Sequence, residues 1–298
     1  MSKARETAMK NAMTIDVEDY FHVAAFKDVI NPDDWGQWPS RSDASTRRIL
    51  DLFDEAGIKA TFFVLGWVAE RNGALVQEIA RRGHEVASHG YSHQLIYSQT
   101  PDVFRAETHR SKAILEDALG TAVTGYRAAS YSITRKSLWA IEILADLGFQ
   151  WDSSIFPTRH DNYGIPGSPE QPYQIATPAG GRITEFPLTM AKLGPLKLPA
   201  AGGGYFRQYP YWLSRLLFNR ASENGQRPQI FYLHPWEIDP DQPRIPGASW
   251  FSRFRHYTNL ARCENRLKKL LRDFEFGTMS ECLQAEDLTT IALADLKA

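Results

Sequence analysis

Cysteine is almost absent: Cys263 and Cys282 are the two in 298 residues. Their spacing matches no thiolate metal site and no redox pair, and one bridge would be a poor framework for a chain this long, so they read as reduced thiols. Excess charge is missing too. With 34 basic against 35 acidic side chains the formal net charge is −1, which removes the electrostatic argument for nucleic acid or an anionic membrane as partner. No uncharged apolar run approaches the ~18 residues of a membrane span. The opening MSKARETAMKNAM carries charges without a following apolar stretch, so no secretory leader is expected and the chain reads as cytoplasmic. Neither a fixed-period repeat nor a low-complexity tract occurs.

What is present is a recurring order of strand, helix and glycine. Ala12 to Val17 reads as a buried strand. Ser42 to Ala56 is helical, with Ile49, Leu50 and Phe53 on one face and Gly57 as its stop. Lys59 to Leu65 is β-branched and aromatic, hence a strand, and a helix from Trp67 to Arg82 stops at Gly83. After the strand His84 to Ser88, Thr100-Pro101-Asp102 is a helix start: a capping hydroxyl, proline at the first helical position, then an acid. That helix ends at Gly120. Ala122 to Tyr126, Phe149 to Asp152, Arg182 to Thr189 and Gln229 to Leu233 are further strands. Thr134 to Leu147, Tyr209 to Glu223 and Trp250 to Asp273 are further helices, the last basic and amphipathic. Residues 157–181 hold five prolines and read as a long irregular excursion, and Gly202 to Gly204 as a turn. Alternation of this kind predicts an α/β fold, a mainly parallel sheet of about seven strands closed into a barrel. The expected division is an unstructured start (1–10), one domain (11–276) that includes a helical C-terminal extension from about 236, and a tail (277–298).

The reactive side chains fall at strand ends. Asp16, Glu18 and Asp19 follow the first strand; His89 and His93 follow HEVAS; Arg127, Asp152 and His234 each follow a strand of their own. In α/β sheets and barrels the active site lies at the carboxyl ends of the strands. In S-H-G-Y-S-H, two histidines four apart share one face of a helical turn and can reach one ion. The zincin pattern H-E-x-x-H has this spacing, but Gly90 stands where its glutamate base would be, which argues against a peptidase. Two histidines need a third ligand and an open position for water, and D-V-E-D can supply the acid. Residues two apart on a strand share a face, so Asp16 and Glu18 point the same way while Val17 turns into the core. One can be a ligand and the other a free base. The rival reading is a solvated acidic turn that caps the next segment.

TIDVEDYF, SHGYSH, GYRAASYSI, WDSS and FYLHPW stand in the order of the five motifs of polysaccharide deacetylases of the NodB-homology type, carbohydrate esterase family 4, and the chain resembles that family from about Asn11 to Phe276. D-V-E-D-Y-F and the C-terminal segment most resemble the subgroup of exosortase/PEP-CTERM exopolysaccharide loci. The resemblance implies a distorted (β/α) barrel and a hydrolase of linear amides that takes N-acetyl groups off an amino-sugar polymer or its precursor, in exopolysaccharide biosynthesis. It implies Asp16 as catalytic base, Arg127 as the arginine orienting it, and His89 and His93 as metal ligands. His234 is then the general acid, Asp152 the acid that supports it, and Tyr131 an oxyanion donor through its backbone N–H. The implied metal is a divalent ion, zinc first, with cobalt, nickel or manganese as alternatives. Family members commonly carry adjacent aspartates, the second a metal ligand, but Val17 fills that place here. Some family members carry a D-x-D arrangement that Glu18 mimics, so the resemblance implies Glu18 as the ligand, with Asp19, or no metal at all, as alternatives. Ala128 and Ala129 replace the usual prolines of the third motif.

Two rival functions stay open: a cyclic-amide hydrolase of the allantoinase kind on the same scaffold, and a sugar-binding protein with a degenerate site. His84 is expected to be structural, as are His22, His160 and His256. Trp236, Tyr205 and Phe206 are candidates for stacking on sugar rings, though aromatic side chains more often belong to the core. The basic tail around Arg253, Arg255 and Lys268 reads as a solvated helix face.

Overall fold

The structure is a computed structural model and describes residues 10–158, 163–194, 196–223, 225–284 and 288–297. Strand β1 (Asn11–Val17) is buried at every residue because it is paired on both edges and covered on both faces. Helix α1 (Ser42–Ala56) lays Ile49, Leu50 and Phe53 into the core and ends at Gly57, whose φ of 67° suits glycine. Strand β2 (Thr61–Val64) follows, then α2 (Gly66–Arg71), α3 (Gly73–Arg81), β3 (Glu85–Ser88), α4 (Pro101–Leu119), β4 (Gly125–Tyr126), α5 (Trp139–Asp146) and β5 (Trp151–Asp152). Next come β6 (Tyr173–Ala176), β7 (Arg182–Glu185), a hairpin β8 (Met190–Leu193) and β9 (Leu196–Pro199), α6 (Gly203–Gln208), α7 (Tyr211–Ala221) and β10 (Ile230–Leu233). Then α8 (Trp250–Tyr257), α9 (Leu260–Asp273), β11 (Phe276–Gly277), α10 (Met279–Gln284) and β12 (Thr289–Ala292) complete the order.

Seven strands run parallel in the order β10-β1-β2-β3-β4-β5-β7, so the expected mainly parallel α/β sheet forms, but with β6, β11 and β12 added it has ten strands among the described residues instead of about seven. At the seam between β7 and β10, the Thr189 hydroxyl donates to the Ile230 carbonyl (2.8 Å) and accepts from its N–H (2.9 Å). Across the interior, Arg127 beyond β4 reaches Thr14 and Asp16 on β1. Curvature therefore brings the carboxyl ends of distant strands to one place.

Several elements differ from expectation. The helix over 67–82 breaks at Asn72, which leaves helical geometry (φ −143°, ψ 62°) so that its side chain can cap Leu75 N–H. The helix over 250–273 breaks at Thr258 and Asn259, the latter at φ 58°, a conformation asparagine tolerates. Gly203 and Gly204 begin α6 instead of lying in a turn. The proline-rich excursion contains β6, antiparallel to β7 across a turn closed by Thr177 and Gly181. The segment set apart as a tail, 277–298, is part of the sheet in its described residues. There β11 pairs with β1, β12 pairs with β6, and Met279 and Cys282 pack against Ala12 and Ile230. Of the start expected to be unstructured, residues 1–9 lie outside the described residues. No helix among the described residues is long and apolar enough to cross a membrane.

Candidate active site

The first strand delivers two acids to one place. Val17 is sealed in the core while Asp16 and Glu18 face inward at the carboxyl end, as alternation requires. Opposite them, the loop after β3 carries the histidines. It is not a helical turn: Gly90 (φ 73°) and His93 (φ 52°) both lie in the left-handed region. His89 N–H donates to the Val64 carbonyl (3.0 Å), while the N–H groups of Gly66 and Trp67 donate to the carbonyls of Gly90 (2.7 Å) and Tyr91 (3.2 Å). These bonds fix the loop on α2. A side chain at 90 would need a left-handed backbone and would press on the Tyr126 hydroxyl at 3.3 Å, which explains glycine there.

Glu18, His89 and His93 each offer a ligand atom, and these atoms lie within 4.8 Å of one another. His93 Nε2 is 2.8 Å from Glu18 Oε2. His89 Nδ1 lies 2.9 Å from the Arg127 carbonyl, an acceptor only, so Nδ1 carries the hydrogen and Nε2 keeps its lone pair. Burial lowers the His89 pKa to about 4, which keeps the ring neutral. Burial would raise Glu18, but His93, His234 and His89 outweigh it and hold the carboxyl well below the usual range. Two imidazoles and one carboxylate, buried and convergent, fit a divalent ion such as zinc.

Asp19, the alternative ligand, faces away. Its carboxylate accepts from Ser40 Oγ (2.6 Å), Arg41 N–H (2.8 Å) and Ser42 N–H (3.0 Å) and so caps the start of α1. The capping role considered for the whole acidic turn belongs to this residue.

Arg127 is fully buried, lies 3.9 Å over the Phe63 ring, and donates to Asp16 Oδ1 (2.7 Å), Thr14 Oγ1 (2.8 Å) and Ser153 Oγ (3.0 Å). Removing either member of such a pair strands a buried charge at a cost of about 3–5 kcal/mol. Asp16 Oδ1 is thereby engaged. Oδ2 stays available, with the Tyr131 hydroxyl at 3.5 Å and His234 Nε2 at 3.9 Å. Ser130 (φ 51°) and Tyr131 (φ 55°) are two left-handed residues in a row, a strained turn that aims the Tyr131 ring inward. Its backbone N–H, expected to serve as oxyanion donor, is instead bonded to the Ala128 carbonyl (3.1 Å).

His234 follows β10, with Nε2 also 3.6 Å from Glu18 Oε1. Burial would lower its pKa, but Glu18, Glu237 and Asp16 outweigh that and raise it to about 9. Its Nδ1 partner is not Asp152. That acid sits beside Glu185 across the β5–β7 ladder and accepts from Ser154 Oγ. Glu237 Oε1 takes the place, 2.8 Å from Nδ1. Glu237 and its ion-pair partner Arg207 were missed by the sequence reading. The available signal was H-P-W-E, a capping residue, proline at the first position and glutamate at the third.

Three further histidines are structural, while His109 is exposed on α4. His84 accepts from Ala60 N–H, His22 accepts from Asp19 N–H among Phe21, Trp35 and Trp67, and His256 pairs with Gln242. His160 lies outside the described residues. Trp236 is enclosed between the rings of His234 and His256, and Phe206 is buried in the core, so neither is a platform for sugar.

Residues 33–151 match the polysaccharide deacetylase family model, and residues 153–284 match a second one described as a domain of unknown function (DUF3473). A peptidoglycan-N-acetylglucosamine deacetylase of Bacillus cereus is 35% identical over 98 residues, covering 33% of this chain and 36% of that protein. A peptidoglycan deacetylase of Helicobacter pylori is 30% identical over 135 residues, 45% of each. The chain thus spans less than half the length of these relatives. Among solved structures, a candidate polysaccharide deacetylase from Mycobacterium smegmatis superposes with a TM-score of 0.62 at 20% identity over 97% of this chain and 96% of that one. A family 4 carbohydrate esterase from Streptomyces lividans gives 0.50 at 13% identity over 95% and 98%. These likenesses show a shared fold, and residues 33–151 are similar to the polysaccharide deacetylase family.

Proposed function

We propose that the chain is a metal-dependent hydrolase that removes N-acetyl groups from an amino-sugar polysaccharide or its precursor. The observation that carries the reading is one cluster at the strand ends: Glu18, His89 and His93 converge while Asp16 Oδ2 and His234 Nε2 stand 3.9 Å apart beside them. A divalent ion held by Glu18, His89 and His93, zinc first and cobalt, nickel or manganese as alternatives, would polarise the acetyl carbonyl and acidify the attacking water. Asp16, with Oδ1 committed to Arg127, takes the water proton at Oδ2 as the water oxygen bonds to the acetyl carbon. His234, protonated at neutral pH, gives its Nε2 proton to the nitrogen as the carbon–nitrogen bond breaks. The products are acetate and a free amine. Likeness to a peptidoglycan-N-acetylglucosamine deacetylase supports an amino-sugar substrate. Placement in exopolysaccharide biosynthesis rests on the resemblance of D-V-E-D-Y-F and the C-terminal segment alone.

The test pairs elemental analysis with acetate release from N-acetylglucosamine oligomers, for wild type and His89→Ala. The expected result is stoichiometric metal and acetate release in the wild type, with loss of the metal and at least about a 10²-fold fall in rate in the variant. Unchanged metal content in His89→Ala defeats the metal site. Ring opening of small ureides without acetate release favours the cyclic-amide rival, and oligosaccharide binding without turnover favours the sugar-binding one.

A further inference from the structure

We infer that Glu237, itself anchored by Arg207, is the positioning residue of His234, and that the segment from α6 to α9 exists in part to hold this pair beneath the active site. The inference rests on the deacetylase reading for its kinetic consequence, but its geometry stands apart from it. Glu237 Oε1 lies 2.8 Å from His234 Nδ1 and accepts the His234 backbone N–H at 3.1 Å, so one oxygen fixes both ring and backbone. The other oxygen accepts from Arg207 Nε at 2.7 Å. Both side chains are sealed, at 1% and 0% exposure. Arg207 spends its remaining donors on the carbonyls of His256 (2.9 Å), Thr258 (2.6 Å) and Arg255 (3.2 Å), at the junction of α8 and α9.

Two further features point to selection of this geometry over generic packing. A Cβ on Gly203 would fall 1.7 Å from Glu237 Oε1, so the backbone at the start of α6 leaves room for this carboxylate and for no side chain of its own. Trp236 stacks on the His234 ring at 5.1 Å and 18°, closing the face that the carboxylate does not control. An ionised carboxylate beside Nδ1 selects the form of the ring with hydrogen on Nδ1 and aims Nε2 at Asp16 and Glu18. The strand-end acid Asp152 is engaged elsewhere, with Ser154 and Glu185, so the role falls to an acid three residues beyond the histidine.

The test has a kinetic and a spectroscopic arm. In Glu237→Gln the amide can present its NH2 to Nδ1 and favour the wrong tautomer. We expect kcat for acetate release to fall on the order of 10²-fold with KM within about threefold and metal content unchanged. Glu237→Asp, which restores the charge at shorter reach, should regain part of the loss. A kcat within threefold of wild type in a folded Glu237→Gln overturns the inference, as does an equal loss in Glu237→Asp and Glu237→Gln. Long-range 1H–15N spectra of the wild-type histidines, recorded at a pH high enough that the His234 ring is neutral and only one of its nitrogens carries hydrogen, decide the matter even if Glu237→Gln fails to fold or the protein releases no acetate. His234 Nδ1 must carry a hydrogen-bonded proton, and a deprotonated Nδ1 overturns the proposal. Failure of the deacetylase reading would appear differently, as a wild type that shows this proton but is inactive on acetylated oligomers.

Discussion

Strand alternation gives neighbouring acids opposite surroundings. Glu18 turns toward His89 and His93, and Asp19 turns outward onto the first N–H groups around α1. The two substitutions should therefore separate by observable. Glu18→Ala should lose bound metal, because it removes the carboxylate from a three-residue donor set. Asp19→Ala should keep the metal and lose about 1–2 kcal/mol of stability, the usual worth of a cap whose loss leaves orphan donors. Elemental analysis and urea denaturation of both variants check this. Metal loss in Asp19→Ala with retention in Glu18→Ala would reverse the assignment. At this scale the sequence was informative where a rule of geometry applied. Period-two alternation placed Asp16 and Glu18 together, and Gly90 ruled out the zincin base. It was uninformative where a partner comes from far along the chain: nothing local links Glu237 to Arg207, 30 residues upstream.

Among the elements, the β5–β7 ladder pairs Asp152 directly with Glu185, two carboxyls with no exposure. Burial pushes Asp152 up to about 6, and burial together with the Asp152 charge pushes Glu185 well above its ordinary value, so the pair holds a shared proton. Both folded-state pKa values are raised. Their stabilising contribution is therefore complete below pH 4 and is lost as pH rises through 6 and beyond. Glu185→Gln keeps the acceptor for Ile155 N–H and gives Asp152 a permanent donor. Its stability relative to wild type should thus rise between pH 4.5 and pH 8 in paired urea titrations, whereas a constant difference would refute the shared proton. The elements themselves were legible where caps and periodicity were strong: Thr100-Pro101-Asp102 does open α4 and Gly57 does close α1. The break at Asn72 depends on its side-chain cap, the break at Asn259 on a left-handed backbone whose side chain donates to the Arg207 carbonyl (2.8 Å), and β6 among the prolines on pairing with β7, none of which local pattern encodes.

For the whole molecule, the boundary between the two matched segments falls at residue 152, in the middle of one sheet. β1 precedes both segments, yet it pairs with β10 along Ala12–Ile15 and with β11 at Asn11 and Ala12. Phe231, Leu233, Cys263, Leu267 and Leu270 from the second segment share one core with Met13, Ile15 and Phe53 from before the boundary. A fragment of residues 1–152 would expose one edge of β1, uncover that face of the core and leave Arg127 without Ser153. Each large apolar side chain uncovered costs about 1.5–3 kcal/mol against a total stability of only about 5–15. The three named here, Met13, Ile15 and Phe53, come to about 5–9 kcal/mol, most of what a domain holds in reserve. The fragment should therefore show no cooperative urea transition and should bind no stoichiometric metal, although it carries Glu18, His89 and His93. Mixing it with residues 153–298 should restore both properties if the segments still find each other. A fragment that unfolds cooperatively and retains metal on its own would mean that the first segment is an autonomous domain and that the second merely covers it.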